Sequence, residues 1–314
     1  MIHLLATKAP RHELCQDDPR YPKGLFHVEQ PPPCVRTLGS VETLALPSLA
    51  IVGARKATPY GLNCAKRFAR LAALQGIVIV SGGAIGCDQA AHQGALEAGG
   101  RTIVVLGCGA DVIYPFKASE LFLRILEEDG TLISEAPWSS PPSRWGFIRR
   151  NRIIAGLAQA TLIVEAGLPS GTFSTADATL AQGKEVLAVP GSIFAKESKG
   201  ANRLIVQGAV PIIDDESFTD ALLQLFGIPE LFPTPWGARP GARPGAKLGT
   251  AGPFGFDTTQ VRVLDALAQE PLRAEALQGI CGDDVIEVIR YLSSLELAGL
   301  VGRLRDGRYA AVSH

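Results

Sequence analysis

Between residues 49 and 213, short apolar runs alternate with amphipathic stretches, and this alternation limits the fold more than any other feature of the sequence. The runs are apolar at nearly every position, which is typical of strands covered on both faces of a parallel sheet. Strand–helix–strand units at this spacing predict right-handed crossovers and a doubly wound, mainly parallel α/β sheet. The predicted strands are Leu49–Gly53, Ile77–Ser81, Thr102–Gly107, Thr131–Glu135, Ala160–Glu165, Glu185–Val189 and Val210–Ile213, and the intervening helices include Tyr60–Gln75, Gln89–Ala98, Ala118–Glu128 and Thr175–Gln182.

The segments that flank this region differ from it in composition. The first is proline-rich, and a tandem Gly-Ala-Arg-Pro repeat follows the predicted sheet, where it can bury little apolar surface and is typical of a linker. The C-terminal segment predicts three helices and a hairpin, the pattern of a small winged-helix domain. The predicted divisions are an N-terminal extension, partly irregular (1–46), a sheet domain (47–232), a linker (233–256) and a winged-helix domain (257–314).

The overall composition is that of an ordinary globular protein, with 46% hydrophobic and 19% charged residues and a net charge of −1. A chain this close to neutral confines any nucleic-acid site to a local patch. We find no secretory signal and no apolar run of membrane-spanning length, so we expect a cytoplasmic protein without a membrane partner. The six cysteines form no CxxC pair and no zinc spacing, which favours reduced thiols, no disulfide and no metal.

One segment is strongly basic. Between Ser143 and Arg152 there are four arginines and no acidic residue, interleaved with Trp145 and Phe147. Guanidinium groups bind phosphate oxygens, and aromatic rings offer faces on which unpaired bases stack. We interpret the segment as a loop before a helix that binds nucleic acid, and a merely solvated loop is the alternative.

Four loops rich in small residues follow predicted strands: Gly53–Pro59, Ser81–Gly86, Gly107–Asp111 and Gly167–Ser174. The carboxyl ends of parallel strands meet the N-termini of helices at one edge of a sheet, where backbone amides bind anions. The first loop also carries a basic pair, Arg55-Lys56, so the four together favour an anionic ligand. This loop lacks the G-x-G-x-x-G pattern of dinucleotide sites, and we expect no cofactor.

The sequence contains no evident catalytic apparatus. His92 follows Asp88 by one helical turn, so the carboxylate could orient the imidazole as a base, but we favour a structural or interface histidine. Glu135 and Glu165 each end a predicted strand. They are either an acid–base pair or partners of nearby arginines, and we favour the pairing with arginine. We therefore predict no catalytic residue.

The ordered motifs of the sheet domain resemble those of the DNA processing protein A (DprA/Smf) family, from Tyr21 to about Ile213. The resemblance implies an extended Rossmann-like fold that forms a homodimer and is not an enzyme. It implies a protein of natural transformation that binds single-stranded DNA, protects it, and helps to load RecA recombinase in place of single-strand-binding protein. The motifs are Gly53-Ala-Arg-Lys-Ala-Thr-Pro-Tyr-Gly61, Ser81-Gly-Gly-Ala-Ile-Gly-Cys-Asp88, Val112-Ile-Tyr-Pro115, Arg150-Asn-Arg-Ile-Ile-Ala-Gly-Leu157, Ser170-Gly-Thr172 and Gly200-Ala-Asn-Arg-Leu-Ile205 before Gly208-Ala209.

Carried over position by position, the resemblance also implies which residues contact single-stranded DNA. The second loop departs from the family's Gly-Leu-Ala-Arg-Gly-Ile-Asp, because Gly83, Ile85 and Cys87 replace Leu, Arg and Ile. One basic residue is therefore missing from that loop. The implied contacts are Arg55, Lys56, Phe147, Arg149, Arg150, Asn151, Ser170, Gly171, Thr172, Lys199, Gly200 and Asn202.

Two other functions compete with this one. A nucleotide phosphoribohydrolase of the lysine-decarboxylase-like fold has a similar sheet and similar loops, but Thr175 stands where its motif has the catalytic glutamate. A duplex-DNA regulator would use the winged helix, yet from Asp257 onward there are nine acidic and six basic residues, a net charge of −3. Repulsion from phosphate makes tight duplex binding unfavourable, so we expect an accessory domain that binds a protein partner or, weakly, duplex DNA.

Overall fold

The structure, a computed structural model, describes residues 7–227 continuously and, beyond them, residues 263, 266–267, 274–277, 288, 292, 295, 301–303 and 308–311. The chain divides into two compact units, Met1–Gly237 and Ala238–His314. No helix among the described residues is long and apolar enough to cross a membrane.

Within residues 7–227 the strands form one nine-stranded sheet. They are β1 (Arg11–Cys15), β2 (Cys34–Gly39), β3 (Ser48–Val52), β4 (Val78–Ser81), β5 (Thr102–Val105), β6 (Thr131–Ser134), β7 (Ala160–Ile163), β8 (Glu185–Ala188) and β9 (Val210–Pro211). Their order is β1-β2-β6-β5-β4-β3-β7-β8-β9, parallel from β6 to β9 and antiparallel at β1 and β2. The predicted mainly parallel, Rossmann-like α/β sheet is confirmed, and all of the predicted strands are present.

Helices cover both faces of the sheet. They are α1 (Pro59–Leu74), α2 (Cys87–Glu97), α3 (Ser119–Glu127), α4 (Arg144–Leu157), α5 (Thr172–Leu180), α6 (Lys199–Val206) and α7 (Asp215–Phe226), with 3-10 turns at Lys23–His27, Glu42–Ala45 and Phe116–Ala118. Alternate residues of β3 enter opposite cores: Ala50 and Val52 pack with α4, α5 and α6, whereas Leu49 and Ile51 pack with α1, α2 and α7. Because side chains alternate along a strand, burial on both faces requires the continuous apolar run seen in the sequence.

The N-terminal segment contributes the antiparallel edge of the sheet, which the sequence analysis did not assign. β1 pairs with β2 in a register that places Cys15 directly opposite Cys34, and the two form a disulfide. The expectation of reduced cysteines is therefore wrong for this pair, while Cys64, Cys87 and Cys108 are free thiols. The bonded cysteines are 19 positions apart in the sequence, so only the register of two unpredicted strands brings their thiols together.

The described residues of the smaller unit agree with a winged helix. Helical positions 263, 266–267, 288, 292 and 295 and the 3-10 turn Ala274–Leu277 precede an antiparallel hairpin of β10 (Val301–Arg303) and β11 (Tyr309–Ala311). Among the described residues of this unit, the buried ones are Val263, Leu267, Leu277, Val288, Leu292, Leu295 and Val301. The predicted linker, the hairpin turn and the acidic residues of the third helix lie outside the described residues.

His92 on α2 is fully buried, as expected of a structural residue. Its Nδ1 lies 2.6 Å from Thr102 Oγ1, which itself donates to the carbonyl oxygen of Ile79 at 2.6 Å. Thr102 Oγ1 therefore accepts a hydrogen bond from the Nδ1–H of a neutral imidazole, and the described hydrogen bonds do not join His92 to Asp88, the alternative that the sequence left open. Burial lowers the pKa of His92 to about 3.

We expect this histidine to make the fold acid-sensitive. Below pH 6.5 the unfolded chain binds a proton at His92 that the folded chain does not bind until about pH 3, so stability falls across that window. The loss is about 2 kcal/mol at pH 5 relative to pH 7. Denaturant unfolding of the wild type and His92→Asn at both pH values measures it. Equal losses in the two proteins would contradict the prediction, whatever the stability of the variant at pH 7.

Candidate nucleic-acid interface

A groove of about 900 Å³ lies along the carboxyl ends of the parallel strands. Loops after successive strands of the sheet line it, and the register keeps neighbouring strand ends level, as where Val52 of β3 lies opposite Ile163 of β7. Four steps between strands about 4.8 Å apart give a groove about 19 Å long, running from β5 to β8. Among the lining residues are Tyr114 after β5, Ala84 after β4, Arg55 and Lys56 after β3, Ser170 after β7 and Lys196 after β8.

Helix α4 forms one wall of the groove. The arginine-rich segment, predicted as a loop, is helical from Arg144, and the Ser143 hydroxyl caps it by accepting a hydrogen bond from the Gly146 amide at 3.0 Å. At Gly146 the helix packs against the backbone of the loop after β5, where a Cβ would collide with the Gly107 carbonyl oxygen. The loop assignment was wrong, and Ser143 as an N-cap was the signal that could have corrected it.

Two aromatic rings and a cation meet on this wall. The rings of Tyr114 and Phe147 stack with centroids 5.2 Å apart and planes 29° apart, and the Arg55 guanidinium carbon lies 5.7 Å from the Phe147 centroid. Sequence reasoning selected Phe147 and Arg55 but missed Tyr114, although it follows a strand end in a quoted Tyr-Pro motif. The rings are suited to stacking with bases, and the neighbouring guanidinium is suited to binding phosphate.

Arg150 lies beneath the groove and is only 5% exposed. Its Nη1 donates to the Val105 carbonyl oxygen at 2.6 Å and its Nε to Asn151 Oδ1 at 2.9 Å. Any side chain at Gly82 would occupy the space of the guanidinium. Burial lowers the pKa of Arg150, and the nearby Asp88 carboxylate opposes that shift. Arg150 therefore belongs to the groove floor, where it joins α4 to β5 and to the loop after β4.

Asn151 joins α4 to the start of α5. Its Nδ2 donates to Ser174 Oγ at 2.6 Å and to the Gly171 carbonyl oxygen at 3.3 Å. On the same turn, Ser170 Oγ accepts a hydrogen bond from the Thr172 amide at 3.2 Å. The structure thus brings the predicted residues Asn151, Ser170, Gly171 and Thr172 together on the groove wall.

The predicted pairing of strand-end glutamates with arginines is confirmed for Glu135 and wrong for Glu165. Glu135 forms ion pairs with Arg149, at 3.1 Å, and with Arg152, at 2.8 Å. Glu165 is buried and accepts hydrogen bonds from the amide of Thr58 at 2.9 Å and from its hydroxyl at 2.6 Å. Glu165 thereby anchors the loop after β3, which carries Arg55.

Four of the residues implied as DNA contacts do not line the groove: Arg149, Lys199, Gly200 and Asn202. Arg149 forms the ion pair with Glu135. The Gly200 amide donates a hydrogen bond to the Ala166 carbonyl oxygen at 2.7 Å. The Asn202 amide is engaged by Gly191, donating to its carbonyl oxygen at 2.9 Å and accepting from its N–H at 3.0 Å. Lys199 is exposed at the start of α6. Their role as DNA contacts stays a prediction.

Basic side chains outnumber acidic ones along the described groove lining. The carboxylate of Asp88 is buried, and burial raises its pKa. A concave surface with this excess of positive charge concentrates anions. The basic residues are Arg55, Lys56, Arg144, Arg150 and Lys196, and the acidic ones are Asp88 and Glu197.

A Rossmann-like sheet with a cationic, aromatic groove at its carboxyl edge defines a class of α/β protein built to bind anionic ligands. Residues 12–223 match the family model described as DNA recombination-mediator protein A, and residues 248–307 match that of the DprA winged helix domain. The chain belongs to the DNA recombination-mediator protein A (DprA/Smf) family.

Known relatives span most of the chain. Protein Smf of Escherichia coli is 35% identical over 299 residues, covering 95% of this chain and 77% of that protein. The X-ray structure of DprA from Streptococcus pneumoniae superposes with a TM-score of 0.62 at 33% identity, over 68% of this chain and 74% of that one. The structure of DprA from Helicobacter pylori, which concerns its single-stranded DNA binding mode, superposes with a TM-score of 0.62 at 31% identity. The match covers 69% of this chain and 97% of that one.

We expect Gly146→Ala to destabilise the larger unit, because its Cβ would displace α4 from the Gly107 carbonyl oxygen. The expected loss in free energy of unfolding is about 1–3 kcal/mol, typical of overpacking, although alanine favours helix. Gly171→Ala is the control, since a Cβ there meets nothing within 4 Å and should change stability by at most about 0.5 kcal/mol. Chemical denaturation of both variants checks this, and equal stabilities would show that α4 can shift without cost.

Proposed function

We propose that the chain binds single-stranded DNA in the groove at the carboxyl edge of the sheet. The observation that carries the proposal is the Tyr114–Phe147 ring pair beside Arg55, within a lining of net positive charge. Cations would follow the phosphate backbone while bases stack on the rings, a mode that reads no base edges and has no sequence preference. A groove about 19 Å long holds at most about six nucleotides at a spacing of about 3.4 Å.

Of the twelve residues that the resemblance implies, eight line this groove: Arg55, Lys56, Phe147, Arg150, Asn151, Ser170, Gly171 and Thr172. We assign the direct contacts to the exposed and half-buried residues among them and a positioning role to Arg150, because it is buried and already bonded to Val105. Tyr114 joins the set as a further contact.

We further propose that the biological role is in natural transformation, where the protein protects incoming single strands in the cytoplasm and helps to load RecA recombinase. Single-strand-binding protein would be displaced in that exchange. Family membership supports this role, as does the single-stranded DNA binding described for the relative from Helicobacter pylori.

We favour binding over catalysis. The rival phosphoribohydrolase needs a carboxylate at position 175, and Thr175 is instead a buried hydroxyl on the groove wall. The acidic residues in the described lining are Asp88, which is buried and whose pKa burial raises, and Glu197, which forms an ion pair with Lys196 at 3.9 Å. Release of free adenine from AMP by the purified protein would support the hydrolase instead.

A mobility-shift comparison of single-stranded and duplex oligonucleotides across a salt series tests the function. We expect preference for the single strand and a steep loss of affinity with salt, because bound arginine and lysine release counterions. Arg55→Ala should weaken binding by about 1–3 kcal/mol, or about 5- to 150-fold, with the fold intact. Arg70→Ala removes an exposed arginine that does not line the groove and should bind normally. Affinity that is flat with salt would refute the proposal.

We also propose that the homodimer forms at β9, an edge strand of the described sheet. β9 has only two residues, and its Pro211 has no N–H to donate, so the proposal rests on exposed apolar side chains beside it, with Val206 87% and Ile213 70% exposed. A second copy would cover this apolar surface. Ile213→Asp should convert a dimer to a monomer by light scattering. Leu180→Asp, which charges an exposed leucine on α5, should leave the dimer unchanged, and a monomeric wild type would contradict the assignment.

A further inference from the structure

The loop from Pro190 to Ser198, the β8 loop, exposes an apolar pair at its tip. Ile193 is 76% and Phe194 91% exposed. Two adjacent large apolar side chains at a loop tip offer a surface that a ligand can cover.

The β8 loop is held in place at both ends. Asn202 forms two hydrogen bonds with Gly191, and the Tyr60 hydroxyl donates to the Pro190 carbonyl oxygen at 2.8 Å. Ser198 packs so closely that a Cβ on Gly191 would collide with its hydroxyl. Within the loop, the Phe194 amide donates to Ser192 Oγ at 3.2 Å. The ring is therefore presented from a fixed backbone, and a ligand that contacts it need not order the loop.

The same loop reaches the groove. Lys196 and Glu197 line its β8 end, while Tyr114 and Phe147 stand at the β5 end. Phe194 is two residues from Lys196, so their Cα atoms are at most about 7 Å apart. A strand that passes Arg55 and Lys56 towards β8 therefore arrives at a lysine next to an exposed ring.

We propose that Phe194 is a second base-stacking residue, so that rings hold the strand at both ends of the groove and cations hold its phosphates between them. The inference rests on the proposed function and extends the site to a residue outside the groove lining. An unpaired base is the favoured occupant, because the tip offers one aromatic face beside a phosphate partner. Asn202 then acts as a positioning residue through Gly191, rather than by touching DNA.

The test compares variants at the tip with an oligothymidylate of about 12 nucleotides, within the usual site size of about 4–16. We expect Phe194→Ala to weaken binding by about tenfold, equal to about 1.4 kcal/mol. Phe194→Leu should bind the strand nearly as weakly as Phe194→Ala, because leucine keeps apolar area without an aromatic face. Phe194→Trp should bind like the wild type. Ile193→Ala is the matched control and should bind normally. Since no charge changes, all should keep the wild-type salt dependence.

An abasic strand of the same length separates base stacking from other causes. Wild type and Phe194→Ala should bind it equally, because the base that the ring contacts has been removed. A tenfold difference that persists on the abasic strand, or Phe194→Ala binding thymidylate as the wild type does, would overturn the inference. Either result leaves the proposed function standing, whereas a wild type that does not bind single strands would refute the function itself.

Discussion

One guanidinium group ties together the parts of the groove. Arg150 is carried by α4, bonds to the end of β5, packs on Gly82 after β4 and supports Asn151, which in turn holds the start of α5. A buried cation is stable only if its donors are satisfied and carboxylates lie near, so each of these elements must be in place before Arg150 can be buried. The relative positions of α4, α5, the end of β5 and the loop after β4 therefore depend on one side chain.

The wall that carries Phe147 is held at its far end as well. Lys184, just before β8, donates from Nζ to the carbonyl oxygens of Ala155 at 2.7 Å and Gly156 at 3.0 Å, in the last turn of α4. A cation at a helix C-terminus complements the helix dipole. Burial lowers the pKa of Lys184 to about 8, so this support is charged at neutral pH. A rigid wall suits a surface that aligns stacked bases, because misplaced rings lose contact area.

The parallel sheet could be predicted from sequence because burial on both faces leaves a continuous apolar run for each strand. The antiparallel edge could not, since charged and polar residues interrupt the apolar pattern of β1 and β2, and the Cys15–Cys34 bond depends on their register. The basic residues and Phe147 were found from composition, but their helical setting depends on one cap and on close packing at Gly107. Contacts between segments that are distant in sequence, such as Tyr114 with Phe147 or Glu165 with Thr58, leave no periodic signal.

The two ends of the described sheet differ in chemistry. β1 presents Arg11, His12 and Glu13, with Arg11 and Glu13 exposed, whereas the β9 end presents Val206 and Ile213. An edge strand with charged side chains pairs poorly with an apolar edge. Head-to-tail addition of copies, which would produce an assembly of unlimited length, is therefore disfavoured. In the proposed dimer the two β9 ends would meet about a twofold axis, which closes that contact after two copies. The unequal margins would then keep a protein with an open nine-stranded sheet from forming filaments.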